Sequence, residues 1–103
     1  MKIIEILSEK IEDEICDARS YVKMALDYKD DRPELARTLY NISIQEMEHM
    51  NLLHNEVSSI IRHYRETKGE PPAEMVAVYE YLHKKQIDKA AEVKTMQSMY
   101  KGS

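Results

Sequence analysis

Glycine and proline punctuate this chain at very few points: Pro33, Gly69, Pro71 and Pro72 inside it, and Gly102 near its end. The long stretches between them carry apolar residues at helical spacing, so the chain reads as a few long helices joined by short turns. The first helix is expected over about 2–28. It ends in Lys29-Asp30-Asp31-Arg32, where the aspartates offer an N-cap for the next helix and Pro33 suits its first turn. The second is expected over about 33–67, stopping before Lys68, with Gly69 placed for a left-handed C-cap. The third is expected over about 73–100, after Pro71-Pro72, leaving a frayed tail.

In the first helix a seam of alternating three- and four-residue steps runs through Ile4, Leu7, Ile11, Glu14, Ala18, Tyr21, Ala25 and Tyr28. Glu14 is its only charge. The second helix repeats the spacing through Leu35, Leu39, Ile42, Glu46, His49, Leu53, Glu56, Ile60 and His63, flanked by Tyr40, Met47, Met50, Val57, Ile61 and Tyr64. A face that wide needs at least two helical neighbours, which implies an all-α bundle: an antiparallel hairpin of long helices plus a third.

Register turns this spacing into chemistry. With the turn near Asp30 to Pro33, Glu14 lies about seventeen residues back and Glu46 to His49 about fifteen to eighteen forward, so at ~1.5 Å per residue they meet at one height. Glu46-x-x-His49 puts a carboxylate and an imidazole on one face, one turn apart, suited to a metal centre. Unpaired carboxylates in an apolar seam are costly to desolvate, and a bound cation would offset that cost for all three residues together. The residue types suit iron, manganese or zinc.

These residues resemble the ferritin-like superfamily, the rubrerythrin-type di-iron carboxylate proteins and especially the short encapsulated-ferritin-type members that build one site from two chains. The likeness spans about 8–64: Glu14 followed two turns on by Tyr21 is similar to the family's first ligand helix, and Glu46-x-x-His49 to its second. The resemblance implies Glu14 and Glu46 as carboxylate ligands, one of them bridging, His49 as nitrogen ligand, and oxidation of Fe(II) by oxygen or peroxide in iron handling or oxidative-stress defence. Single-chain members carry a second such pair of helices. Here only one further helix follows, so one chain supplies half a site.

Two completions are open. The favoured one is a homodimer, or a higher homo-oligomer, in which two hairpins form a four-helix bundle around two irons. The other draws on Glu80, His83 and Glu92 of the third helix, although the clearest apolar line there is Met75, Tyr79, Leu82, Gln86, Ala90, Val93, Gln97 and Tyr100. Bland readings stand beside the sharp ones: Glu56 and His63 as polar contacts, Tyr21 and Tyr40 as core, His54 as a surface or border residue, and the methionines as filling. The whole site also has a metal-free alternative, a hydrogen-bonded polar layer that fixes pairing in a helical dimerisation or scaffold module.

The remaining bounds come from composition. A chain of 103 residues, 33% charged, with mean hydropathy −0.61 and net charge −4, is one domain whose scattered basic residues do not suit nucleic acid. No apolar run could span a bilayer, and Met1-Lys2-Ile3-Ile4-Glu5 breaks any leader pattern. Cys16 is the only cysteine and is expected to be a small helix residue without a role. The expected location is the cytoplasm. Mineral storage would need an encapsulating shell, for which the residues offer no sign.

Overall fold

In the computed structural model, which describes residues 1–102, the chain forms α1 (Lys2–Tyr28), α2 (Pro33–Lys68) and α3 (Ala73–Gly102). The 36 residues of α2 rise about 54 Å, so this helix alone accounts for the 56 Å long axis of the molecule. None of the three helices is long and apolar enough to cross a membrane.

The caps differ from expectation in instructive ways. Arg32, not Asp30 or Asp31, is the N-cap of α2, with φ −139° and ψ 73°. The residue before a proline is driven out of the helical region, so Pro33 decides which residue stands at the boundary. Gly69 does have positive φ, at 86°, and its N–H donates to the Arg65 carbonyl at 3.2 Å. Its ψ of −167° is extended rather than left-handed helical, which carries the chain straight into Glu70-Pro71-Pro72. An added Cβ would meet nothing within 4 Å there, so glycine is required by backbone conformation and not by space. At the other end, α3 continues through Gly102, past the expected end at Tyr100.

The order of contacts fixes the topology. Glu14 and His49 meet across α1 and α2, which run antiparallel. Along α3, Gln86 donates to Ser8 Oγ at 2.9 Å, Glu92 pairs with Arg19 at 3.0 Å, and Tyr100 receives the Lys29 ammonium on its carbonyl. Residue numbers rise together, so α3 is parallel to α1 and antiparallel to α2.

The core joins Ile11, Ile15, Ala18 and Val22 of α1 to Met47, Met50 and Val57 of α2 and Ala90 and Val93 of α3. Ile15 and Val22 lay outside the seam read from sequence, whereas Tyr28 and Leu35, which lay inside it, are exposed. The cause is α3. Packed along the Ser8 and Arg19 side of α1, it widens the buried face from Ile11, Ala18 and Ala25 of the seam to Ile15 and Val22, one residue beyond Glu14 and Tyr21 and about 100° round the helix. On α2 the flanking stripe of Met47, Met50 and Val57 is buried for the same reason, and the Glu46 and His49 line becomes its border. Near the turn, Ala25, Ala36 and Leu39 close a second cluster against Tyr21, Tyr40 and Tyr100, with the Tyr40 and Tyr100 rings stacked at 4.6 Å.

Buried polar groups fix the seating of α3. Gln97 donates to Ser43 Oγ at 3.2 Å, and Ser43 donates onward to the Tyr40 carbonyl at 2.6 Å. Gln97→Ala removes a nearly buried side chain and leaves one acceptor site of Ser43 without its donor. The expected cost is about 1–2 kcal/mol, read in a thermal melt as a fall of roughly 5–10 °C.

Candidate metal centre

The antiparallel register of α1 and α2 brings Glu14, Glu46 and His49 together: each offers a ligand atom, and these atoms all lie within 4.8 Å of one another. His49 Nδ1 stands 3.6 Å from Glu14 Oε2, close enough for an ion pair but too long for a hydrogen bond. Glu14 Oε2 is buried and has no hydrogen-bond partner among the described residues. His49 is the exposed member, with 55% of its side chain accessible against 24% for Glu14. The group thus has a closed floor and an open roof.

Its place on the bundle follows from helix geometry. Among the α2 residues that face α3 are Tyr40, Ser43 and His54. His49 is turned about 100° from Met50 toward the opposite side, so the trio lies on the border of the hairpin that α3 leaves uncovered. Ile42 and Ile60 share that border, partly buried yet outside both core clusters.

Electrostatics mark the site as short of positive charge. The Glu46 carboxyl titrates above the ordinary glutamate range, first because a proton held between it and Glu14 is favoured, then through burial and the like charge of Glu14, with His49 pulling the other way. Two carboxylates crowded together hold a proton when no cation separates them. The orphaned oxygen, the crowded carboxylates and the adjacent imidazole fit a divalent cation with mixed oxygen and nitrogen ligands.

The third helix does not reach this group. Glu80 is exposed, Glu92 pairs with Arg19, and His83 stacks its ring on His54 at 4.5 Å. Glu56 and His63 are exposed, Tyr40 is occupied by Tyr100, and Cys16 is an exposed thiol on α1. Met47 and Met50 are core. The His54 and His83 pair escaped sequence reasoning because it joins helices whose mutual register was not assigned; the only available signal was that both histidines sit just off apolar lines. The chain matches no protein-family profile, no curated protein and no solved structure.

A pH test isolates the carboxylate pair. Because the folded Glu46 pKa is raised, the native metal-free chain holds more protons than the unfolded one between the two values. The stability this confers is present at acid pH and is lost as pH rises through the folded pKa. Glu46→Gln, which mimics the protonated form permanently, is therefore expected to raise the melting temperature of metal-free protein at neutral pH and to change little near pH 4. Melts across that range check it.

Proposed function

We propose that this chain is one half of a ferritin-like di-iron protein, in which two copies place Glu14, Glu46 and His49 around two irons and Fe(II) is oxidised by oxygen or peroxide. The observation that carries the reading is the convergence of these three side chains around a buried, unpartnered carboxylate oxygen. Iron bound there would supply the redox chemistry. Glu14, anchored on the floor, would fix one ligand direction; Glu46 would give up the proton it shares and bind or bridge; His49, at the exposed roof, would add a nitrogen donor on the open side.

Three donors are half of the set that a di-iron carboxylate centre uses, which is the argument for a second copy. A two-fold axis beside His49 would set the trios face to face and cover Ile42 and Ile60 of both chains. The alternative, a metal-free polar layer that specifies pairing, predicts that a second copy satisfies the Glu14 oxygen by hydrogen bonding and that association is indifferent to metal. Anaerobic Fe(II) titration decides. The reading requires about two irons per two chains, bound by wild type and not by Glu14→Gln. Protein that binds none, or a Glu14→Gln variant that binds as well, ends it.

A further inference from the structure

A second group of donor side chains lies on the other side of α2. His54 of α2 and His83 of α3 stack at 4.5 Å between ring centroids and 25° between planes, and Tyr79 stands against His83 at 5.8 Å. Neither histidine makes a side-chain hydrogen bond or ion pair among the described residues. Both border a cavity of about 290 Å³ between α2 and α3, lined also by Met50, Asn51 and Gln86, with room for an ion and its waters. Burial, and then the neighbouring His83, push the His54 imidazole toward its neutral form, the form that coordinates.

We propose that His54 and His83 form a separate, imidazole-only metal site that takes a late first-row divalent ion, Cu²⁺ or Zn²⁺, and ties α3 to α2. Two nitrogens bound to one such ion at ~2.0–2.1 Å lie about 3 Å apart in a cis arrangement. The ring centres are 4.5 Å apart, and sharing an ion requires the two rings to leave their stack until a nitrogen of each faces it. Water fills the remaining positions from the cavity. Among the described residues, no carboxylate joins this pair within the distance that unites Glu14, Glu46 and His49. The site therefore prefers softer, nitrogen-loving ions, whereas the carboxylate-rich group suits iron and manganese. Lys94, which also lines the cavity, is eleven residues beyond His83, about 16 Å along α3.

The pair would strengthen a weak seam. Gln97 of α3 donates to Ser43 of α2 at the far end of this seam, and at the near end Tyr79 of α3 pairs with Ser58 of α2. An ion shared by His54 and His83 adds a link beside the ring contacts and the Tyr79 and Ser58 pair.

The test uses the untagged chain carrying Glu14→Gln and Glu46→Gln, so that the carboxylate group cannot compete. Cu²⁺ alone is titrated and followed by electron paramagnetic resonance. One Cu²⁺ per chain with two-nitrogen hyperfine structure is expected, and His54→Gln or His83→Gln in the same background weakens binding by at least ~10-fold. His63→Gln, the exposed control, changes nothing. Zn²⁺ raises the melting temperature of the parent and not of the His83→Gln form, with circular dichroism confirming that each variant folds. Copper that binds equally without His83, or a spectrum that follows His49 or His63 instead, overturns the site. Neither result bears on iron, which the wild-type titration reads separately.

Discussion

Fe(II) supplied without oxygen at about 100 times its Kd is expected to stabilise the chain by about 2.7 kcal/mol and so to raise its melting temperature by roughly 10–20 °C. The size follows from mass action on a ligand that the folded state binds and the unfolded chain does not. Glu14, Glu46 and His49 come from two helices and meet only when α1 and α2 are paired, so the unfolded chain has no such site. Glu14→Gln, Glu46→Gln and His49→Gln should each abolish most of the shift.

The Glu46→Gln variant makes the test sharper, because its two effects have opposite signs. Without metal it relieves the crowding that lifts the Glu46 pKa and melts higher than wild type at neutral pH. With Fe(II) it melts lower. A purely structural polar layer gives no such crossing, since losing a charge there shifts both curves alike. Mn²⁺ should reproduce the stabilisation without redox change. Equal melting of wild type and all three variants in saturating Fe(II) defeats the proposed centre.

How far the residues alone lead depends on what each feature needs. Helix extents were legible because breakers of helix act locally: Pro33 and Gly69 bound α2 to within a residue. The convergence of Glu14 with Glu46 and His49 was legible because a short turn fixes the register of a hairpin, and register needs only counting from Asp30 to Pro33. Most of the buried face was legible too, Ile11, Ala18 and Ala25 of the α1 seam, Leu39, Met47, Met50 and Val57 of α2 and Gln86, Ala90, Val93 and Gln97 of α3 being buried; its extension to Ile15 and Val22 was not. The seam through Glu14 and Tyr21 and the core line through Ile15 and Val22 are one residue apart, and the choice belongs to α3, whose placement no local pattern specifies. The cap at Arg32 failed for a local reason, the rule that aspartate caps helices being overridden by the backbone restriction before Pro33. The ring pair of His54 and His83 was out of reach, since it depends on the register of α3 against α2.

The proposed second copy makes the other large prediction. Ile42 and Ile60 stand on the same border as Glu46 and His49, partly buried but packed into neither core cluster, so their removal should leave one chain's fold intact. A symmetric dimer across this border would bury four such side chains at once, two from each copy. Replacing both by serine forfeits about 1 kcal/mol per isoleucine, or about 4 kcal/mol in all, which weakens association roughly 1,000-fold. Sedimentation should find wild type as a dimer and Ile42→Ser/Ile60→Ser as a monomer at the same concentration, with unchanged helical circular dichroism. Fe(II) affinity should fall with the dimer, because each chain carries three of the donors, and should return as protein concentration is raised into the range where the variant pairs. Monomers that hold iron as tightly as wild type would show that the three residues suffice alone, and a dimer indifferent to Ile42 and Ile60 would show that the copies meet elsewhere. Serine is the informative replacement at position 42: a lysine could pair with Glu46 one turn on, and an aspartate would repel it, so either would disturb the carboxylates whose iron binding the experiment reads.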